Sequence, residues 1–206
     1  MNTLLYPTCF PNIVHFCAML KADVLNFEVS DNYQKQSYRN RVEIYGANGK
    51  LALTVPVSYS QKNRQYYKDV KIANEEQWQQ LHLKSLLSAY RMSPFFEFYI
   101  DDLMPLFETQ FDYILDFNLK CFELIVDAME LDLNPNLTET FSKSPENTTD
   151  YRALVKRNTK LNTLEPYTQV FTEKHGFISN LSILDLLFNE GPNTALYLKR
   201  QDIVLI

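Results

Sequence analysis

Alternating apolar and polar residues on both sides of Asn48-Gly49 predict a β-hairpin over residues 40–57. An Asn-Gly pair suits a two-residue type I′ turn, because both turn positions need a positive φ. In the register that this turn sets, Tyr45 faces Ala52 across the hairpin. Successive side chains of a strand point to opposite faces, so one face is apolar and the other polar. The apolar face consists of Val42, Ile44, Leu53 and Val55, and the polar face of Arg39, Arg41, Glu43, Tyr45 and Thr54.

The beginning of the chain has the order strand, helix, strand. Residues 3–6 and 24–29 predict strands, and between them an apolar stripe predicts a helix with Pro11 in its first turn. A unit of this length places its two strands side by side and parallel, with a right-handed crossover. We therefore expect the sheet to contain a parallel pair.

Apolar residues spaced three and four positions apart predict helices over the rest of the chain. These helices run from Asn74 to about Met92, from Ser93 to near Leu103, over 109–130, and from Ser182 to the Gly191-Pro192 stop. Asn74, Ser93 and Ser182 are good N-cap residues. Residues 134–163 are poor in apolar residues and rich in Asn, Thr, Ser and Lys, which predicts a long polar loop or lid.

Together these elements predict a single domain over residues 1–206 with an α/β fold, or an α+β fold if the first strand pairs antiparallel. A small, mostly central sheet includes the 40–57 hairpin, and four to six helices cover it. The strands are expected near residues 3–6, 24–29, 40–46, 51–57 and 70–73.

The charge of the chain is distributed unevenly. The net charge is −5, yet residues 33–71 hold eight Lys or Arg against two acids, while residues 101–150 hold twelve acids against two Lys. Arginine forks match phosphate and carboxylate groups in a bidentate way, so the basic segment favours a small anionic metabolite as partner. The acidic remainder would repel a polyanion, which argues against nucleic acid. The alternative is that Arg39 and Arg41 lie on a solvated strand face.

The composition argues against several function classes. Only four glycines occur, and GxGxxG, GxxxxGK[ST] and HExxH are all absent, so no phosphate loop or cofactor is indicated. The three histidines lack ligand spacing, so no metal is expected. Three cysteines without a CxxC fit reduced thiols. The sequence has no signal peptide and no apolar run near the roughly 18–20 residues of a membrane span, so we expect a cytoplasmic protein.

Three residues are candidates for acid–base chemistry or ligand contact. His82 lies one turn after Trp78 and is the best general base; its alternative is a half-buried histidine packed on the tryptophan. Asp185 would orient the substrate, and its alternative is a capping-box acid for the helix that begins at Ser182. His15 follows the first strand, where α/β folds bind ligands. Its alternative is a satisfied, partly buried side chain.

The basic hairpin and nearby aromatic residues predict a binding site for a phosphorylated ring compound. Lys35, Arg39 and Arg41 would hold phosphate, while tyrosines such as Tyr38 would contact the ring. The predicted substrate-binding residues are Tyr33, Lys35, Arg39, Asn40, Arg41, Trp78, Tyr90, Asn189 and His15. Cys9 and Cys17 flank apolar sequence and are interpreted as core residues, so no nucleophile is nominated.

Several stretches resemble the WbqC-like protein family of bacteria. They are YPTCFPNIVHF, YQKQSYRNRVEIYGANGKLALTVPV, WQQLHLKSLLSAYRMSPFFEFY, YTQVF and KHGFISNLSILDLLFNEG. The Arg39-Asn40-Arg41 core, the Asn-Gly turn and the LSILDLLFN ending are the most specific parts, and the chain is similar to the shorter members found in Bacteroidetes. The resemblance implies a cytoplasmic protein associated with surface-polysaccharide (O-antigen) gene sets, in which nucleotide-linked sugars are modified. It carries no catalytic assignment.

The sequence therefore leads to two hypotheses about function, which belong to different classes. The first is a transferase-type enzyme that acts on a nucleotide-linked sugar or similar phosphorylated metabolite. The second is a non-catalytic binding or assembly module that recognises an anionic metabolite or a protein partner. The aromatic residues at 95–99 cannot all face one core, which leaves apolar surface for a partner or for a homo-oligomer.

Overall fold

The computed structural model of the protein describes residues 1–60 and 64–203. Its strands, in chain order, are β1 Asn2–Leu5, β2 Val24–Phe27, β3 Arg41–Gly46, β4 Gly49–Thr54, β5 Val57–Ser58, β6 Lys71–Ile72, β7 Asn136–Leu137 and β8 Thr149–Asp150. Its α-helices are α1 Ile13–Leu20, α2 Trp78–Tyr90, α3 Phe96–Leu103, α4 Pro105–Glu108, α5 Ile114–Ala128, α6 Thr172–His175, α7 Ile183–Glu190 and α8 Thr194–Arg200. Single 3₁₀ turns occur at Tyr67–Asp69, Arg152–Val155 and Gly191–Asn193.

A parallel sheet of four strands, in the order β7-β2-β1-β8, lies at the centre of the fold. β1 and β2 are neighbours and α1 connects them, with Leu5, Phe16 and Phe27 fully buried between these elements. The α/β class and the parallel pair are therefore confirmed. Asn12 caps α1 by accepting a hydrogen bond from a backbone N–H, so Pro11 precedes the helix instead of lying in its first turn.

The two outer strands come from the segment that the sequence predicts as a polar loop or lid. β7 pairs with β2, and β8 pairs with β1, each over two residues. Strands this short show no alternation of apolar and polar positions, so their composition hides them. In the structure, residues 134–163 complete the sheet and are otherwise largely irregular.

The hairpin forms a separate two-stranded sheet of β3 and β4, outside the parallel sheet. Its register pairs Tyr45 with Lys50, two residues away from the predicted pairing. Gly49 has a φ of 97°, and Ala47-Asn48 make the turn before it. Three-residue hairpin loops commonly combine such a turn with a left-handed glycine. A shift of two residues keeps every side chain on its predicted face.

Both faces of β3 are buried. The predicted apolar face is confirmed by the burial of Val42, Ile44, Leu53 and Val55. On the other face, Arg157 lies 2.9 Å from the Glu43 carboxylate, and the Tyr45 hydroxyl donates to the carbonyls of Phe171 and Gly176 at 3.1 and 2.6 Å. The C-terminal part of the chain therefore covers a face that the alternation alone leaves to solvent.

β5 and β6 form a second antiparallel pair, so the strands expected in one sheet belong to three. The chain also forms more helical segments than the four to six expected. One reason is that α3 ends at Leu103 and Pro105 starts the separate turn α4. Another is that α8 follows directly after the Gly191-Pro192 stop.

The predicted ends of α7 are confirmed, whereas two other predicted caps are wrong. The Ser182 hydroxyl accepts a hydrogen bond in the first turn of α7. Gly191 ends the helix with a φ of 54°, and a Cβ at this position would lie 2.5 Å from the Phe95 ring. Neither Asn74 nor Ser93 caps a helix, because α2 and α3 begin three to four residues later than predicted. Tertiary packing decides these two starts.

Candidate functional site

A polar cavity of about 500 Å³ lies at the carboxyl edge of the parallel sheet. Its lining comes from the residues that follow β2, from the residues that follow β7, and from the first 3₁₀ turn with the residue before it. The lining residues are Ser30, Asp31, Asn32, Tyr66, Lys68, Glu139, Thr140 and Phe141. Open α/β sheets bind ligands outside the carboxyl ends of their strands, so this cavity is in the expected place for a ligand.

Arg39 fixes one wall of this cavity from behind. Its guanidinium is 0% exposed and lies between the rings of Tyr6 and Tyr67, 3.8 and 4.9 Å from their centroids. It donates to the Asp31 carboxylate at 3.2 Å and to the Asn32 carbonyl at 3.0 Å. The Tyr6 hydroxyl also donates to Asp31, at 2.5 Å. In this conformation the Arg39 fork is already engaged inside the protein, so the structure gives no support to the predicted phosphate contact.

Arg152 fixes the opposite wall. It bonds the Asp150 carboxylate at 2.7 and 2.9 Å, and its remaining N–H groups donate to the carbonyls of Ser142 and Lys143. The guanidinium lies 5.2 Å from the centroid of the Phe141 ring, which forms part of the cavity wall. Behind it, the Glu28 carboxylate lies 3.6 Å away. Buried charges on both sides thus hold the irregular segments of this edge.

Arg41 differs from the buried Arg39 and Arg152 and from the exposed Arg157. Those three arginines all pair with carboxylates, whereas Arg41 has no acidic partner among the described residues. The buried Nε atoms of Arg41 and Arg39 both lack a hydrogen-bond acceptor there. The buried hydroxyl of Tyr33 is also without a partner within that part of the chain. Burial raises the pKa of Tyr33, and the charges of Arg39 and Arg41 act against this rise.

The other residues predicted around the hairpin have clear positions. Lys35 is exposed, and its ammonium lies 5.1 Å from the centroid of the Tyr59 ring. The Asn40 side chain donates to the Val55 carbonyl at 3.0 Å, which ties the lead-in segment to the end of the hairpin. Tyr38 donates to the Glu43 carboxylate at 3.1 Å.

His82 is buried inside the protein. Its ring contacts Trp78 edge-on at 5.2 Å, and its Nε2 lies 3.2 Å from the Thr54 carbonyl, to which it donates. Its Nδ1 is buried without a partner among the described residues. Burial lowers the pKa of His82 to about 4, with the hydrogen bond to Thr54 opposing this shift. His82 therefore packs on Trp78, as in the alternative interpretation, and it is not a solvent-exposed base.

Asp185 is the centre of a buried hydrogen-bond network. The hydroxyls of Tyr90 and Tyr167 and the amide of Gln169 all donate to its carboxylate, at 2.8 Å from Tyr90 and from Gln169. Burial raises the pKa of Asp185, and these hydrogen bonds act in the opposite direction. The Asn189 side chain donates to the backbone carbonyl of Asp185 at 2.7 Å. The Asp185 side chain makes no capping-box bond and has no exposed oxygen.

His15 is also fully buried. Its Nδ1 donates to the Asn12 side chain at 2.7 Å, and its Nε2 has no partner among residues 1–60 and 64–203. Burial lowers the pKa of His15 to about 3. It packs edge-on against Tyr38, with 6.5 Å between ring centroids. Its position follows β1 as expected, but it lies inside the core.

The predicted site residues therefore form no single group. In segment 30–41, Arg39 and Arg41 lie near enough to Tyr33 for their charges to act on it. His82 lies in α2 and Asp185 in α7. The sequence reasoning missed the residues around this cavity that follow each strand of the parallel sheet. They are Tyr6 after β1, Glu28 and Asp31 after β2, the aromatic Phe141 after β7, and Arg152 after β8. Asp31 carried a usable signal, since it stands two residues beyond the strand predicted over residues 24–29.

The described residues give little basis for thiol chemistry or for metal binding. Cys9, Cys17 and Cys121 are free and buried, and burial raises the pKa of each thiol, to about 12 for Cys17. Within residues 1–60 and 64–203, no group of three His, Cys, Asp or Glu is placed to hold a metal ion. Over the same ranges, every helix is too short or too polar to cross a lipid bilayer.

The fold and the site define an α/β protein with a polar cavity at the carboxyl edge of a parallel sheet. The chain belongs to the WbqC-like protein family, whose model matches residues 6–164, more than half of its length. The match contains Asp31, Arg39, Arg41 and Arg152, while Asp185 lies beyond it. No curated protein and no solved structure matches the chain.

Proposed function

We propose that this protein binds a phosphorylated metabolite, namely a nucleotide-linked sugar of bacterial surface-polysaccharide (O-antigen) synthesis. The observation that carries the proposal is the state of Arg41. Its guanidinium is half-buried, and it is the one arginine of segment 30–41 whose side chain has no acceptor within the described protein. The proposal places the action of the protein in the cytoplasm and involves no nucleic acid.

The energetics of Arg41 favour an anionic ligand. A buried donor without an acceptor costs about 1–3 kcal/mol, and a charged hydrogen bond contributes about 1.5–3 kcal/mol when it forms. A phosphate bound by the half-buried Arg41 guanidinium would supply the acceptor that this side chain lacks within the described residues. Exposed lysines at 35 and 68 add positive potential on the same segment and the adjoining 3₁₀ turn.

A transferase reaction on the bound metabolite is the second candidate function. Asp31 favours it, because this carboxylate lines the carboxyl-edge cavity and is held in one orientation by Tyr6 and Arg39. A carboxylate fixed in this way is suited to orient a hydroxyl group of the bound metabolite for transfer. The predicted base His82 is less suited, because it is buried away from the cavity lining.

A thermal-shift screen tests the binding proposal directly. The purified protein is screened against nucleotide-linked sugars, free nucleotides, acyl-CoAs and sugar phosphates. A ligand at about 100 times its dissociation constant adds about 2.7 kcal/mol of stability, which raises the melting temperature of a chain of this size by roughly 5–10 °C. We expect the largest shift from a nucleotide-linked sugar, and we expect Arg41→Ala to remove it.

Arg91→Ala is the matched control, because Arg91 is exposed at the end of α2 and makes no ion pair within the described residues. It removes the same charge outside the cavity lining and outside segment 30–41, and it should leave the shift unchanged. A well-folded wild-type protein that responds to none of the four ligand classes would contradict the binding proposal and would favour a protein partner instead.

A further inference from the structure

We infer that the carboxyl-edge cavity is the subsite for an uncharged sugar ring, a hexose or N-acetylhexosamine. This inference rests on the proposed function for the choice of ligand class, but it concerns different residues. The phosphate contact is assigned to Arg41, whereas the sugar would lie among the residues that follow β2 and β7.

The cavity has no excess of positive charge, which distinguishes it from the phosphate contact at Arg41. Two acids, Asp31 and Glu139, line it against one base, Lys68, and Asp31 is already paired with the buried Arg39. A phosphate group would therefore find no pair of unpaired cations there. A neutral polyol needs none, because its hydroxyl groups donate readily to carboxylates.

Two aromatic side chains border the cavity and are unusually exposed. Tyr66 is 52% exposed and Phe141 is 47% exposed, although most aromatic rings of this chain are buried in its core. Large apolar groups left at the rim of a polar cavity indicate a surface that a ligand covers. The apolar C–H face of a pyranose ring matches an aromatic ring, while its edge presents hydroxyl groups.

Polar groups available for those hydroxyls also lie in the cavity. The Asn32 amide and the Glu139 carboxylate make no side-chain hydrogen bond within the described chain. An amide offers both donors and acceptors, and a carboxylate offers acceptors, which is the combination that recognition of a hydroxyl group needs. Small-molecule sites typically combine a few directed polar groups with apolar surface.

The walls of the cavity are positioned before any ligand arrives. Arg39 holds the Asp31 and Asn32 side through two hydrogen bonds, and Arg152 holds the Phe141 side through the carbonyls of the next two residues. Burying ion pairs gives little net stability, so two of them behind one cavity are better explained by the positioning of its walls.

Titration of the ¹⁵N-labelled full chain with free sugars tests this inference. The probes are glucose, galactose, mannose and N-acetylglucosamine at about 50 mM, well above the millimolar dissociation constants of weak ligands. We expect at least one of them to shift the backbone signals of Ser30, Asn32 and Phe141. We expect Phe141→Ala to weaken that binding at least about tenfold.

Phe98→Ala is the matched control, since Phe98 is an exposed phenylalanine on α3, 71% exposed and outside the cavity lining. It should leave sugar binding unchanged, and so should Arg41→Ala. No shift with any of the four sugars, shifts confined to other regions, or shifts at the cavity with uridine but with no sugar would each overturn the inference. A failure of phosphate binding at Arg41 leaves this result unaffected, so the two proposals fail separately.

Discussion

Replacing Arg39 by methionine should destabilise the protein strongly, although Arg39 lies only two residues from Arg41. The buried Arg39 fork is the counter-charge of Asp31 and the donor to the Asn32 carbonyl. Removing it leaves the Asp31 carboxylate buried without its charge partner, which costs about 3–5 kcal/mol in comparable pairs. Methionine keeps much of the packing volume between Tyr6 and Tyr67, so the loss reports mainly on charge.

Urea unfolding measures this loss. For a chain of 206 residues with a slope of about 2–3 kcal/mol per molar urea, the midpoint should fall by roughly 1–2.5 M. The melting temperature should fall by roughly 6–20 °C. The double variant Arg39→Met/Asp31→Asn removes both charges and should recover at least half of the stability, because replacing a whole buried pair is often close to neutral.

The matched variant is Arg41→Met, which breaks no ion pair within the described residues and should not destabilise the protein. Because it removes a buried donor without an acceptor, stability should stay the same or rise by up to about 1–3 kcal/mol. A loss below about 1 kcal/mol in Arg39→Met would refute the structural role of Arg39. Equal losses in Arg39→Met and Arg41→Met would refute the distinction between the two arginines.

Three further predictions concern the interior of the protein. Tyr167→Phe removes one donor to the buried Asp185 carboxylate and should cost about 1.5–3 kcal/mol by urea unfolding, and a loss indistinguishable from zero would contradict the network. Burial alone would raise the pKa of Glu43, but Lys50 and Arg157 lower it overall. The stabilising contribution of Glu43 is therefore fully present above its unfolded pKa and is lost as the pH falls through its folded pKa. Between about pH 5 and pH 3, wild type should therefore lose more stability than Glu43→Gln in urea unfolding at a series of pH values, and parallel curves would count against the ion pairs. Because burial lowers the pKa of His82 to about 4, its ring protons should not titrate between pH 8 and pH 5.5 in NMR spectra, whereas a midpoint near 6.5 would show an exposed ring.

The sequence is sufficient to predict the elements whose pattern of apolar and polar residues is long and local. The strand-helix-strand unit at the start, the two faces of the hairpin and both ends of α7 follow from alternation, apolar spacing and the Ser182 and Gly191 signals. The hairpin register was harder to predict from the sequence. Asn48-Gly49 supports two loop types, both with a positive φ at Gly49. They differ at Asn48, whose φ is not positive in the structure, and the register differs by two residues as a result.

The candidate site was harder to predict, because its residues are distant in sequence and its strands are short. β7 and β8 have two residues each, so nothing in their pattern reveals that they bring Phe141 and Arg152 to the carboxyl edge. The two arginines of the RNR core look equivalent in sequence. Only tertiary contacts show that Arg39 is engaged by Asp31 while Arg41 has no acceptor within the described chain.

Isothermal titration of wild type and Arg41→Ala with UDP-N-acetylglucosamine, or with the nucleotide-linked sugar that gives the largest thermal shift, tests the central claim most directly. Loss of a charged hydrogen bond of about 1.5–3 kcal/mol should weaken binding roughly 10- to 150-fold, with Arg91→Ala unchanged. Raising the salt concentration should narrow the difference between the wild type and Arg41→Ala. Equal affinities for the two proteins, with both well folded, would contradict the assignment of Arg41 as the phosphate contact.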